Sequence, residues 1–237
     1  MRLVLASGSP RRSEMFRANG YDPEIIPSAK EERVPAGLTP AETVLYLSFL
    51  KAHAVEEELL SERAEQTAEE PGTDTKSPSS GFAESVFLVG ADTVVYLPEK
   101  PDGPVDVPAA KGPVNGSYRG AILGKPKDAT DAALMLRGLA NTANYVFTGV
   151  TVIEAGTPNR RSFVSVSRVD MADYGEDYIA DYVASGEPMD KAGGYALQGR
   201  QACKILSVEG SKTNVIGLPW EETEQALIEM GYRKAPR

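Results

Sequence analysis

Four groups of residues in this 237-residue chain combine charges and glycines in ways that neither a core nor a solvated surface requires. The first is Ser7-Gly8-Ser9-Pro10-Arg11-Arg12. Leu3 to Leu5 read as a short buried strand and Ser7-Gly8 as the turn leaving it. Ser9 then stands at a helix cap, with Pro10 at the first helical position, where its missing N–H costs nothing. Arg11 and Arg12 fall in the first turn, at the positive end of the helix dipole, where acidic residues are favoured. An oligophosphate would relieve that electrostatic frustration. The second group is Asp92, expected at the end of an apolar strand, where a carboxylate is costly unless paired, hydrogen-bonded or metal-bound. The third is two lysines: Lys51, on the inward stripe of a helix, and Lys125, in a Gly-Lys-Pro turn. The fourth is Asp190-Lys191-Ala192-Gly193-Gly194-Tyr195, where opposite charges accompany glycines that let a backbone approach a ligand. Together these supply cations for a polyphosphate, an acid that activates water or holds Mg²⁺, and a loop that closes over a base. Those are the parts of a phosphoryl-transfer or hydrolysis site.

The elements that must position them follow from periodicity and capping. A helix is expected over 10–19, closed by Gly20, then a strand over 21–27 with Ile25 and Ile26 buried. Thr39-Pro40-Ala41-Glu42 is a capping box that opens a long helix, whose apolar stripe runs Val44, Leu47, Ser48, Lys51, Val55. Lys51 on that stripe either snorkels out along the core edge or serves the site. Residues 61–84 and 98–119 lack periodicity and read as flexible insertions. Strands are expected over 86–89, 94–96, 145–154 and 162–170, and helices over 129–139 and 176–184. Residues 203–208 and 213–216 read as a hairpin, and a terminal helix over 220–230 follows. Early alternation of strands and helices with later hairpins predicts an α/β fold with a mixed sheet.

Composition excludes several classes. A net charge of −9 argues against a broad nucleic-acid-binding face, so any anion site must be a local basic cluster. The lone Cys203 forms no internal disulfide, and the lone His53 cannot build a His-rich metal site. A bound metal would therefore have oxygen ligands, Mg²⁺ first and Mn²⁺ second. No apolar run reaches membrane-spanning length, and the expected location is the cytoplasm.

The motifs, joined by Gly90-Ala91-Asp92-Thr93, Gly124-Lys125-Pro126, Gly186-Glu187-Pro188-Met189 and Gly217-Leu218-Pro219, resemble in order and context the Maf nucleoside triphosphate pyrophosphatases. The likeness covers most of the chain outside the two insertions. It implies one domain over 1–237: an elongated, mixed, twisted sheet with flanking helices and two lobes around a cleft, as in inosine triphosphate pyrophosphatases. It further implies hydrolysis of a nucleoside triphosphate to monophosphate and pyrophosphate with a divalent cation. By resemblance, Asp92 is the general base or a metal ligand, with Lys51 and Lys125 beside it in the catalytic set. Glu31 (preferred over Glu32 by the resemblance alone) is a metal ligand, and Ser7, Arg11, Arg12, Asp190 and Lys191 bind substrate. Arg12, Thr93 and Gln198 match the positions that mark the branch acting on dTTP and UTP. Modified pyrimidine nucleotides are a further substrate class, a homodimer is implied, and a nucleotide-binding regulator of septum formation is the non-catalytic alternative.

Overall fold

The computed structural model describes residues 1–69, 82, 84–100, 103–105 and 107–234. Its centre is one long apolar strand, β3 (Val86–Leu97), in which every residue but Thr93 is buried. Leu88, Val94 and Tyr96 turn to one face while Phe87, Val89, Ala91, Val95 and Leu97 turn to the other, and both faces are covered. Sequence reading expects a break at Asp92; the strand instead runs straight through it, because β6 (Ala143–Glu154) pairs antiparallel with β3 from Phe87 to Tyr96. Strand β6 continues into β7 (Arg160–Met171) through the expected hairpin, and β8 (Ile205–Glu209) pairs with β7.

The other edge of β3 is shared. Strand β1 (Arg2–Leu5) pairs parallel with Val86 to Val89, and β5 (Ala121–Leu123) pairs antiparallel with Val95 to Leu97. No strand pairs with residues 90–94 along that edge among the described residues. Two short strands complete the mixed eight-stranded sheet: β2 (Glu24–Ile25) beside β1, and β4 (Ala110–Lys111) beside β5. Ile25 and Ile26, expected to be buried in a longer strand, are only half-buried.

Helix α1 (Pro10–Ala18) follows β1, and α2 (Pro40–Glu69) lies across the opposite face. The capping box forms: Thr39 N–H donates to Glu42 Oε2 at 2.8 Å, and Glu42 N–H to Thr39 Oγ1 at 3.2 Å. Helix α2 continues through 61–69, where Glu, Arg, Ala and Gln favour a helix, so that part of the expected insertion is not a loop. The remainder, 70–81 and 83, lies outside the described residues. The second expected insertion is partly built, since it contains β4 and the buried Tyr118.

Helices α3 (Ala129–Leu139) and α4 (Glu176–Ala184) form where the sequence predicts them, α3 with Ala132, Met135, Leu136 and Leu139 buried. One expected hairpin is wrong. Residues Lys212–Ile216 form helix α5, because the Ser211 hydroxyl accepts a hydrogen bond from Asn214 N–H and starts a helix instead of a return strand. The terminal helix is α6 (Trp220–Glu229). No described helix is long and apolar enough to cross a membrane.

Two glycines explain how closely α2 approaches the sheet. A Cβ on Gly90 of β3 would stand 2.3 Å from the Ser48 carbonyl oxygen, and one on Gly149 of β6 would stand 2.3 Å from that of Val44. Only hydrogen at these positions lets the helix backbone rest on the strands. Ser48 then bonds across to Thr151 at 3.0 Å. One helical turn after Ser48, Lys51 is thereby set above Asp92, which shares the face of Gly90 two residues on.

Candidate active site

The gap in the edge of β3 opens into a cavity of about 940 Å³. Strand β1 ends there, the turn at Ser7-Gly8 enters α1, and Asp92, Thr93, Val94 and Val95, whose side chains alternate between the two faces of the sheet, line it. Ligands of open α/β sheets bind at such points, beyond the carboxyl end of a strand whose neighbours diverge. Seven basic residues line the cavity (Arg11, Arg12, Lys51, Lys111, Lys125, Lys127, Lys191) against four acidic ones (Glu32, Asp92, Asp131, Asp190). An acidic protein thus carries a cationic cleft.

On the α2 face, Lys51 Nζ donates to Asp92 Oδ1 at 2.5 Å and pairs with Glu32 Oε1 at 3.1 Å. Burial pushes the Asp92 carboxyl above its ordinary pKa, while Lys51 and Arg12 pull it back down in part. The result is a carboxylate more basic than a free aspartate, held by an ammonium.

On the other face, Arg12 is buried and held mostly by protein oxygens. Its Nε donates to Gly217 O at 2.8 Å, its Nη1 to Ser7 Oγ at 3.0 Å and Ala91 O at 2.9 Å, and its Nη2 to Thr93 Oγ1 at 3.1 Å. Four of the five guanidinium N–H groups are therefore satisfied by protein oxygens, leaving one for a ligand. Burial lowers the pKa of Arg12, and Asp92 raises it again in part. The residue ties the β1 turn, β3 and the segment after α5 into one wall, and offers substrate its charge more than its donors.

Ser9 occupies the cap position of α1, but its side chain makes no cap hydrogen bond, contrary to expectation. No acid sits in the first turn of α1 either. The free N–H groups of that turn and the positive helix end remain turned towards the cleft. Arg11 reaches across it: Nη1 donates to Asp190 Oδ2 at 3.0 Å and Nη2 to Asp190 O at 3.4 Å. Lys191 Nζ holds the other Asp190 oxygen at 2.5 Å. Burial alone would raise the Asp190 pKa, but the bonds from Lys191 and Arg11 outweigh it, and the carboxyl titrates below its ordinary value. The loop bearing Asp190 is docked by Gly193 N–H on Gly124 O at 3.0 Å, which brings it beside Lys125. Lys125 lines the cavity, and no hydrogen bond or ion pair of its ammonium occurs among the described residues.

Ser7, Arg11, Arg12, Lys51, Asp92, Thr93, Lys125, Asp190 and Lys191 are thus brought together around one cavity. Two sequence-nominated residues are not. Glu31 faces solvent and pairs with Arg33 at 2.9 Å; its neighbour Glu32 turns to Lys51, since successive side chains of this irregular segment diverge. Gln198 is exposed and does not line the cavity, so of Arg12, Thr93 and Gln198 only the first two meet. Lys111, Lys127 and Asp131 were not nominated. Lys127 is signalled by its place two residues after Lys125, whereas Lys111 lies in a stretch without periodicity and carries no signal.

The donor set suits a cation that arrives with phosphates. No cluster of three or more His, Cys, Asp or Glu that could hold a metal occurs among the described residues. Asp92 and Glu32 do converge on one ammonium, and Mg²⁺ commonly takes one or two carboxylates together with substrate phosphates and water.

The family model of the Maf-like proteins matches residues 2–230. A dTTP/UTP pyrophosphatase of Pelotomaculum thermopropionicum is 36% identical over 230 residues, 97% of this chain and 97% of its own. One from an Anaeromyxobacter species is 37% identical over 98% of this chain and 90% of its own. Among solved structures, the Staphylococcus aureus Ham1 protein aligns over 97% of this chain and 98% of its own, with 16% identity and a TM-score of 0.44.

Proposed function

Since this chain belongs to the Maf-like protein family, we propose that it hydrolyses nucleoside triphosphates, dTTP, UTP and related or modified pyrimidine nucleotides in particular, to the monophosphate and pyrophosphate. The observation that carries the reading is the Lys51–Asp92–Glu32 cluster, built on the buried Asp92, on the wall of a cleft rich in cations. Arg11, Lys125, Lys191 and the open first turn of α1 bind the phosphate chain, and Arg12 adds charge from behind. Asp92 accepts a proton from a water, whose oxygen bonds to the α-phosphorus. The bond from that phosphorus to the bridging oxygen breaks, and pyrophosphate leaves with the electron pair. Lys51 keeps the Asp92 carboxylate oriented, and the desolvation that raises its pKa also raises its basicity. Asp92 and Glu32 would hold a divalent cation, Mg²⁺ first, which when bound supplies charge neutralisation to the phosphoryl oxygens. Positioning and electrostatics provide most of the acceleration in such a site.

The test is pyrophosphate release from a panel of nucleotides, modified pyrimidines included, with Mg²⁺ and without it. Asp92→Asn is expected to lower kcat by about a hundred- to ten-thousandfold, the range for losing a general base. Near-full turnover in that variant would remove Asp92 from the chemistry. Tight nucleotide binding with no pyrophosphate from the unaltered protein would instead identify a non-catalytic regulator.

A further inference from the structure

We infer that Lys111, carried into the cleft by the segment between β3 and β5, is an additional polyphosphate-binding residue, so that this segment builds part of the site. The inference rests on the reading of the cleft as a triphosphate site and deepens it. Strand register sets where the side chain goes. Strand β4 pairs parallel with β5, Ala110 opposite Ala121 and Lys111 opposite Ile122, and Gly112 N–H bonds to Ile122 O at 3.2 Å. Ala110 packs on the core of one sheet face, together with Ala121, Leu123 and Leu97. Alternation then directs Lys111 to the opposite face, the one that carries Ile122, Val94 and Asp92. Lys111 accordingly lines the same cavity as Lys51 and Asp92, approached from the far side of the gap in the edge of β3.

Packing and one backbone hydrogen bond seat the segment that carries the lysine. Val105, Val107 and Ala109 pack against the cluster of Val44, Val94, Tyr96, Ile122 and Phe147, and Ala109 N–H meets Leu38 O at 3.4 Å. The ammonium of Lys111 has no hydrogen bond or ion pair among the described residues; burial pushes its pKa below the ordinary lysine value, and the charges of Asp92 and Glu32 offset that in part. Lys111 is itself exposed, but its strand directs the side chain over the cavity, where the ammonium is open to a ligand. Lys51 is the lysine bonded to the Asp92 and Glu32 carboxylates, and Lys111 adds a further positive charge near them that no protein oxygen takes up among the described residues. Sequence reading takes residues 98–119 as a flexible insertion of unassigned role, and here the segment supplies a cation.

The experiment is calorimetric titration of the full chain with inorganic tripolyphosphate and Mg²⁺, for the unaltered protein and for Lys111→Met, Lys111→Arg and Lys100→Met. Lys100 lies in the same segment, is exposed and does not line the cavity. Lys111→Met should weaken binding by about tenfold, the scale of one charge-assisted hydrogen bond, at an unchanged melting temperature. Lys111→Arg should keep most of the affinity and Lys100→Met all of it, and in turnover Lys111→Met should raise KM more than it lowers kcat. Unaltered affinity in Lys111→Met, an equal loss in Lys100→Met, or no binding of tripolyphosphate by the unaltered protein would each overturn the inference. If Lys111→Met loses tripolyphosphate while the unaltered protein cleaves no nucleotide, Lys111 stands as a polyphosphate ligand and the proposed hydrolysis falls.

Discussion

Arg11 and Arg12 are neighbours in sequence with unlike work. Arg12 is spent mostly on the protein, whereas Arg11 makes one exchangeable ion pair across the cleft. Lysine cannot reproduce a planar fork with four partners, so Arg12→Lys should destabilise the fold by about 2–4 kcal/mol, read by urea denaturation. Arg11→Lys should leave the unfolding midpoint in place and raise KM. Sequence reading placed both arginines at the helix start, but the partners of Arg12 lie as far away as Gly217, and no local pattern encodes them. Glu31 and Glu32 make the same point, because which of two adjacent acids turns inward is settled by Lys51, on a different element. As the proposed general base, Asp92 sets the expected pH dependence. Its ionised form is the one that accepts a proton, and burial raises its pKa, so the acid limb of kcat/KM should lie above the ordinary carboxylate value of about 4, rate falling as pH falls through it. A pH–rate profile checks this, and a limb at or below that value would mean Lys51 and Arg12 outweigh burial.

At the scale of elements, the contact between α2 and the sheet decides where the reacting groups meet. A methyl at Gly149 would collide with the Val44 carbonyl and one at Gly90 with that of Ser48, and backbone cannot step aside as a side chain can. Gly149→Ala is expected to cost more than about 3 kcal/mol, measured by chemical denaturation, and to lift α2 so that Lys51 loses Asp92. The start of α2 was legible because a capping box is a local signal. Helix α3 was legible for a similar reason, its apolar residues recurring every three or four positions. The unbroken β3 was not, because nothing near Asp92 reports that β6 pairs alongside it for ten residues. Residues 212–216 failed for the opposite cause: β-branched residues suggested a strand, and the Ser211 cap overrode propensity.

For the molecule as a whole, a charge of −9 surrounds a cleft lined by more cations than acids, an arrangement that concentrates anionic ligands at one place and repels them elsewhere. The candidate residues come from both faces of the sheet and from segments 180 residues and more apart in sequence, as when Arg12 meets Gly217. They also come from supports of very different strength. Asp92 sits inside a twelve-residue strand buried between two layers, while Lys111 rides on a two-residue strand and Asp190 on a short 3₁₀ turn. Amide hydrogen exchange should therefore be slowest along β3 and β6 and faster by orders of magnitude over 107–119 and 187–195. The rim of the cleft can then unravel and reclose many times within the lifetime of one global unfolding event. Ligands can enter and leave through such local openings while Asp92 never leaves its register.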